Sequence, residues 1–287
     1  MPKTALCIGI NDYPGTSSDL HGCVNDANDW AKELHARGFE VKKLLNKSAT
    51  GAAIRQGIKD LLKSAGSGDC IVISYSGHGS FVPDRNGDEP DGLDECLCPY
   101  DTGTKGVIKD DELFDLLSDR ERGIRLIMIS DSCNSGSVSK FNPITTPPTM
   151  KGRGAPQRRV RFLPPGAYLP KRQLVGLGAR GPMRTASPPG RHAALLLAGC
   201  QDPESSFDAY FSGRPNGAFS YVALSALKKL PKKASYRDWY EAIRKILPSQ
   251  QYPQTPSLYG ASHMKKWQVL ASRDEEKAKT ARRSRKR

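Results

Sequence analysis

Four short runs of Ile, Val and Leu divide the first half of the chain. They cover residues 4–10, 39–45, 70–75 and 125–130. Continuous apolar runs of this length are typical of strands buried on both faces. The intervening segments carry apolar residues at helical spacing, as in Ala27, Trp30, Ala31 and Leu34. This alternation predicts an α/β fold, with a mostly parallel sheet flanked by helices on both faces and ligands bound at the carboxyl ends of its strands.

The order breaks at residues 142–190, which hold ten of the 21 prolines and seven glycines. We interpret this segment as a connector that contains one apolar island, formed by Val160, Phe162, Leu163, Tyr168 and Leu169. A strand pattern returns at 193–198, followed by two helical patterns and a last short strand at 268–270. The predicted organisation is therefore a first region at 1–141, a Pro/Arg-rich linker at 142–190, a second region at 191–272 and a basic tail at 273–287.

The formal net charge of +14 is confined to the linker and the tail. The linker has nine basic and no acidic residues, the tail has eight basic and three acidic ones, and the remaining chain carries 27 of each. This distribution argues against a nucleic-acid-binding core, although the tail Arg282–Arg287 resembles a nuclear-localisation or RNA-binding patch. The longest apolar run is too short to cross a membrane, and seven cysteines suggest no disulfide framework. We expect a cytoplasmic monomer, with a nuclear location as the alternative.

His78 and Cys133 each follow a predicted strand within a Gly- and Ser-rich turn. Because the carboxyl ends of parallel strands share one edge of the sheet, both side chains should face one crevice. Cysteine hydrolysis needs a thiolate, an imidazole that exchanges protons, and backbone amides that hold the oxyanion. The amides of Gly79 and Cys133 are candidates for the oxyanion donors. A packed cysteine and a turn histidine would be the ordinary alternatives.

Asp131 precedes Cys133 by two residues, so in extended chain both side chains lie on the same face. A carboxylate beside the nucleophile would pair with Arg or Lys of a substrate and repel Asp. The spacing therefore favours cleavage after a basic residue.

These elements together resemble the metacaspases, a branch of the caspase fold. The similarity rests on LHGCVNDA at 20–27, YSGHG at 75–79, LDECLCPYD at 93–101 and SDSCNSG at 130–136. The resemblance implies a caspase-like, mostly parallel six-stranded sheet and a cysteine endopeptidase that cuts after Arg or Lys, with large- and small-subunit regions in one chain and no N-terminal prodomain. It also implies a second pocket acid at Asp26, where the alternative is a helix cap, and a third at Glu204, where the alternative is an ordinary loop residue.

The resemblance further implies a calcium activator held by Asp94, Asp110 and Asp111. Oxygen ligands suit that ion, while helix capping is the alternative for the last two acids. One acid of the family pattern is replaced by Lys140, which puts calcium dependence in doubt. An EF-hand loop beginning at Asp84 is disfavoured, because Glu89 lies where the turn of that loop needs glycine.

The basic linker suggests that this enzyme is a zymogen that cuts itself. The candidate sites are Arg153, Arg158, Arg159, Lys171, Arg172, Arg180 and Arg184. The apolar island near Phe162 would cover the crevice until cleavage. Protein or peptide substrates with Arg or Lys at the cleavage position would be the partners. The rival functions are a caspase-fold hydrolase of other specificity and an idle scaffold that binds nucleic acid through its linker and tail.

Overall fold

The computed structural model of the protein describes residues 1–85, 87, 92–133, 158–174, 193–201 and 204–277. Within these ranges the strands are β1 Lys3–Gly9, β2 Glu40–Leu45, β3 Cys70–Ser76, β4 Gly79–Pro83, β5 Leu93–Leu97, β6 Ile108–Lys109, β7 Arg125–Asp131, β8 Arg159–Val160, β9 Leu195–Ala198, β10 Phe207–Phe211, β11 Arg214–Gly217 and β12 Ser257–Tyr259. The α-helices are α1 Cys23–Ala36, α2 Gly51–Lys63, α3 Thr102–Lys105, α4 Asp110–Ser118, α5 Lys171–Leu174, α6 Ala218–Lys229 and α7 Tyr236–Arg244.

Six of these strands form the central sheet, in the order β12-β9-β7-β3-β1-β2. Neighbouring strands run parallel except β12, which is antiparallel to β9. Every residue of β3 and β7 is buried, as expected for strands covered on both sides. The predicted α/β fold with a mostly parallel, six-stranded sheet is confirmed.

Two apolar cores separate the sheet from its helices. On one face, Trp30 of α1 packs in a cluster with Phe219 of α6 and Trp239 of α7. On the other face, Ile58 of α2 packs in a cluster with Leu117 of α4. Local signals define where two of these helices begin: Thr50 caps α2, and a capping box of Ser235 and Asp238 starts α7. The helical stripes in the sequence thus become the faces that cover the sheet.

The predicted last strand at residues 268–270 is wrong. Gln268 forms only an isolated bridge with Ser235, and Leu270 has a φ angle of 54°. That left-handed conformation ends extended pairing. Val269 and Leu270 are buried in the helical core instead, and the last strand of the sheet is β12.

Two small antiparallel sheets flank the carboxyl edge of the central sheet. One has the order β4-β5-β6 and the other β11-β10-β8. The second sheet includes a short strand from the predicted linker, because β8 pairs with β10. The apolar island that follows β8 is also packed: Val160, Phe162 and Leu163 are all buried. This part of the linker lies against the edge where the predicted active-site residues are found.

Candidate active site

His78 lies directly after β3 and is held by two residues of the loop between β1 and α1. Its backbone amide donates to the Tyr13 hydroxyl at 2.7 Å, and its ring lies 4.6 Å from the Tyr13 ring centroid to centroid. Its Nε2 is 2.5 Å from the Ser18 carbonyl oxygen. A carbonyl can only accept, so Nε2 carries the proton and Nδ1 is the basic nitrogen. Among the described residues, Nδ1 is buried and has no hydrogen-bond partner.

Burial lowers the pKa of His78 to about 4, against the opposing effect of the Ser18 and Arg161 carbonyl groups. The imidazole is therefore neutral near pH 7, as a general base must be.

Cys133 comes two residues after β7, and the register of the sheet brings its turn beside the turn that carries His78. Ser76 at the end of β3 is paired with Asp131 at the end of β7, so the turns that follow both strands leave the sheet at one place. The Cys133 thiol is buried and contacts the backbone of Ser206, whose amide donates to Sγ and whose carbonyl oxygen lies 3.3 Å away.

The amides of Gly79 and Cys133 donate to the same oxygen atom. That atom is the carbonyl oxygen of Arg161, 3.0 Å from the Gly79 nitrogen and 3.2 Å from the Cys133 nitrogen. Two backbone amides that converge on one carbonyl form the arrangement of an oxyanion hole. These are the two amides that the sequence identified as candidates, and the structure brings them to one point.

The guanidinium of Arg161 is fully buried among three carboxylates. Its Nη2 lies 2.7 Å from Asp26 Oδ2 and 3.0 Å from Asp208 Oδ1, and its Nη1 lies 3.1 Å from Asp131 Oδ2. Nη1 also donates to Ser76 Oγ at 2.6 Å and to the Asp131 carbonyl at 3.0 Å. In this pocket, several carboxylates and neutral acceptors converge on one guanidinium, which is how a buried arginine is stabilised.

Each acid of the pocket is held by further donors. Asp26 accepts from the Gly217 amide and from the Asn216 side chain at 2.9 Å. The Ser220 amide and the Ser206 hydroxyl donate to Asp131. Asp208 accepts from the amides of His21 and Gly22 at 2.8 and 2.9 Å. Asp26 lies in the first turn of α1 but does not cap it, since the cap residue is Gly22 without a side-chain bond.

Two pKa values in this pocket are raised, for different reasons. The pKa of Asp26 is raised to about 6, mainly by burial; Arg161 opposes this shift, and the charge of Asp131 adds to it. Burial alone would lower the pKa of Arg161, but the surrounding acids, first among them Asp131, raise it well above its usual value. Arg161 therefore stays protonated although it is desolvated, which is a property of arginine.

Glycine at position 217 makes room for the guanidinium. A Cβ atom there would lie 2.2 Å from Asp131 Oδ2, 2.5 Å from Arg161 Nη1 and 2.7 Å from Arg161 Cζ. No real side chain tolerates such distances. Gly217 has a φ of −72°, so the requirement comes from close approach and not from backbone strain.

The backbone on both sides of Arg161 is extended and hydrogen-bonded to the cleft. Before it, Val160 is paired with Phe207 of β10, and the Arg161 amide donates to the Ser206 carbonyl at 3.0 Å. After it, the Leu163 amide donates to the Gly79 carbonyl at 2.9 Å. The chain thus crosses the site as an added strand, which is a common way for a protein to bind a peptide.

Other predicted residues lie outside this contact set. Glu204 bonds Thr255, and the third acid around the guanidinium is Asp208. Of the proposed cut sites, Arg158 contacts the Gln251 carbonyl and Arg159 contacts the Asp19 carbonyl, and both residues are half-buried. Lys171 and Arg172 are exposed in α5. Arg153, Arg180 and Arg184, as well as Lys140 and the tail 282–287, are not among the described residues.

Sequence reasoning missed Asp208 and Arg161. Asp208 carried no signal, because an acid inside an aromatic strand pattern (FDAYF) is indistinguishable from a solvent-facing residue. Arg161 did carry one: it lies within the apolar island, between Val160 and Phe162. A basic residue within an apolar run that becomes buried needs acidic partners.

Two of the three predicted calcium ligands lie near β5, where Asp94 is buried and Asp110 is half-buried. Asp94 is 1% exposed, with one carboxylate oxygen on the Lys109 ammonium and the other without a hydrogen-bond partner. Asp110 also has a buried oxygen without a partner, and burial raises its pKa to about 6. Within the described ranges, no three acidic, His or Cys residues are grouped so that they could hold a metal ion. The disfavoured EF-hand segment is described only in part, and there Asp84 accepts from the Gly87 amide.

Comparison with known proteins identifies the class to which this fold and site belong. The caspase domain matches residues 2–268. Metacaspase-1 of Cryptococcus neoformans var. neoformans serotype D is 34% identical over 289 residues, which cover 91% of this chain and 62% of the relative. A crystal structure of a Geobacter sulfurreducens protein is 31% identical, with a TM-score of 0.70 over 95% of this chain and 99% of that one. Caspase-1 from Spodoptera frugiperda shares the fold at 12% identity, with a TM-score of 0.53 over 90% of this chain and 85% of that one.

The chain therefore belongs to the caspase-domain family and, within it, to the metacaspases. It spans about 62% of the length of the Cryptococcus relative. Among the described residues, no helix has the length and apolar character needed to cross a membrane.

Proposed function

We propose that this protein is a cysteine endopeptidase that cleaves after Arg or Lys, and that it cuts its own chain after Arg161. One observation carries this proposal. The Arg161 carbonyl oxygen accepts hydrogen bonds from both candidate oxyanion amides, while the Arg161 side chain fills the three-acid pocket. Residues 159–163 thus have the position of a bound substrate whose scissile bond joins Arg161 to Phe162.

The reaction follows from the groups around that bond. Nδ1 of His78 takes the thiol proton of Cys133, and the thiolate attacks the carbonyl carbon of Arg161. Negative charge develops on the carbonyl oxygen and is stabilised by the Gly79 and Cys133 amides. The C–N bond breaks as the His78 imidazolium gives its proton to the Phe162 amine. Water, activated by His78, then hydrolyses the thioester and restores the thiol.

The segment at residues 159–163 also explains why the uncut enzyme would be an inactive zymogen. Residues 159–163 fill the cleft on both sides of the scissile bond, so another peptide cannot enter while they remain. In this structure the Cys133 thiol contacts Ser206, and attack requires Sγ to turn from that backbone toward the Arg161 carbonyl carbon. Cleavage and departure of the segment would open the site to substrates in trans.

Calcium is the second part of the proposal. Asp94 and Asp110 each have a buried carboxylate oxygen without a hydrogen-bond partner, and such hard oxygens are the ligands that calcium prefers. Lys109 now neutralises Asp94, so we propose that calcium binds in competition with its ammonium. When bound, the ion supplies positive charge to carboxylates that burial leaves poorly solvated. Asp94 is paired with Val82 of β4, the strand that begins with Gly79, which connects this site to the candidate oxyanion hole.

The decisive experiment incubates wild-type protein, Cys133→Ala and Arg161→Gln with calcium or with a chelator. We expect only the wild type to yield a fragment whose N-terminal sequence begins at Phe162. Arg159→Gln is the matched control and should still be cut after Arg161, because its guanidinium contacts the Asp19 carbonyl and none of the three pocket acids. Cleavage of Arg161→Gln at the wild-type rate would contradict the assignment of the cut site.

Specificity is tested in trans with the processed enzyme. Fluorogenic peptides that differ only in Arg, Lys, Asp or Asn at the cleavage position should be turned over when that residue is Arg or Lys. A preference for Asp or Asn would favour a caspase-fold hydrolase of other specificity. No turnover of any peptide by processed, calcium-loaded protein would refute the peptidase proposal.

A further inference from the structure

Beyond the proposed scissile bond, the side chain of the bound segment meets an aromatic ring of the cleft. The ring of Phe162 stacks on that of Phe81, with centroids 5.7 Å apart and an interplanar angle of 22°. Both side chains are buried. Phe81 lies two residues after Gly79 on β4, so the strand that supplies an oxyanion amide also supplies the surface for the next residue of the peptide.

Beyond the scissile bond, the cleft holds the backbone of the bound segment through hydrogen bonds that do not depend on the segment's side chains. The Leu163 amide donates to the Gly79 carbonyl, and Ser80 Oγ donates to the Leu163 carbonyl at 2.6 Å. Phe162 forms a parallel bridge with Gly79. These bonds would seat any peptide along β4, so discrimination between peptides must come from the side chain that meets Phe81.

The environment of that side chain favours one chemical class. Phe162 is only 1% exposed, so a charged residue in its place would lose its hydration. An aromatic residue gains both burial and ring stacking with Phe81.

We infer that Phe81 forms the subsite for the residue after the scissile bond, and that the enzyme selects substrates with an aromatic or large apolar residue there. This inference rests on the proposed Arg/Lys-directed endopeptidase and adds a second determinant to its substrates. The preferred site is thus a basic residue followed by a bulky apolar one.

The test uses the self-processed enzyme and three internally quenched peptides with the sequence Arg-Arg-Val-Arg-X-Leu, where X is Phe, Gly or Asp. We expect kcat/KM for X = Phe to exceed that for X = Asp by about tenfold or more, with Gly between them. In Phe81→Ala the ratio of Phe to Gly should fall toward one, and Phe81→Tyr should retain it. Each ratio is measured within one preparation, so the fraction of folded enzyme cancels.

Acyl transfer gives a second readout that does not depend on the first bond cleavage. The acyl-enzyme formed from an arginine ester is partitioned between water and added phenylalaninamide or glycinamide, each of which forms an amide and frees the thiol. Wild type should use phenylalaninamide several-fold more efficiently than glycinamide, and Phe81→Ala should lose this advantage. Equal use of all peptides and amines would overturn the subsite while leaving the peptidase intact, whereas no cleavage of any peptide or ester would overturn both.

Discussion

Substituting Gly217 by Ala tests the shape of the basic pocket with a single methyl group. The new Cβ would lie 2.5 Å from Nη1 of the bound guanidinium and 2.7 Å from its Cζ. The φ of −72° is allowed for alanine, so the main chain needs no adjustment. The methyl group must therefore displace the guanidinium, Asp131, or both.

The expected cost follows from the hydrogen bonds of Nη1, which joins Ser76 Oγ, the Asp131 carbonyl and the Asp131 carboxylate. A hydrogen bond to a charged group contributes about 1.5–3 kcal/mol, so losing two of them costs at least about 3 kcal/mol. A loss of that size in transition-state binding slows cleavage roughly 100-fold. Lysine carries a single ammonium and no atoms equivalent to Cζ and Nη1, so its substrates should be less affected.

The assay follows the appearance of the Phe162 fragment over time, and then the ratio of Arg to Lys peptide turnover in trans. Gly66→Ala is the matched control, because its Cβ would meet nothing closer than 3.7 Å. Retained Lys turnover would verify that Gly217→Ala is folded. Self-cleavage of Gly217→Ala at the wild-type rate, with an unchanged Arg to Lys ratio, would refute the assignment of this pocket to the guanidinium.

Three further predictions address other parts of the site. Asp208→Asn should lower kcat/KM for Arg peptides about tenfold, because it removes one of the three carboxylate charges around the guanidinium. Glu204→Gln should leave kcat/KM unchanged, and steady-state kinetics of both variants measures the difference. In the Cys133→Ala background, Lys109→Met should raise the affinity for calcium measured by calorimetric titration, because the competing ammonium is gone. Unaltered affinity would contradict the proposal that calcium and Lys109 compete for Asp94. The lowered pKa of His78 means that the native state binds fewer protons than the unfolded one between pH 6.5 and about 4, so this residue reduces stability as pH falls. His78→Gln is therefore compared with its Cys133→Ala parent by urea unfolding. Between pH 7 and pH 4, the difference in their free energies of unfolding should shift by about 3 kcal/mol in favour of His78→Gln. Equal pH profiles of the two proteins would refute the lowered pKa.

The fold was largely predictable because its determinants are local. Strands β3 and β7 are apolar along their whole length, and the helices between strands show a clear 3.6-residue stripe. The failure at residues 268–270 has the same origin. Periodicity identifies segments that will be buried, but it does not reveal that Leu270 adopts a left-handed conformation and packs among helices instead of in the sheet.

The positions of the two candidate catalytic residues were predictable for a related reason. His78 and Cys133 each follow a buried strand of a parallel sheet, so chain topology alone brings their turns to one edge. The place of Asp131 beside Cys133 was predicted from their two-residue spacing. Asp26 entered through resemblance, because an acid in the first turn of a helix looks the same in sequence whether it caps the helix or faces a pocket.

The sequence by itself determined the sheet, the face on which each helix packs and the edge where a thiol, an imidazole and an acid come together, because these depend on periodicity and on the direction of parallel strands. Only the tertiary structure decided that Asp208 completes the pocket and that Arg161, among nine basic residues of the linker, enters it. The physical reason is that a buried guanidinium is stable only where several carboxylates converge. That convergence joins residues up to 182 positions apart, from Asp26 to Asp208, and no pattern within one segment encodes it.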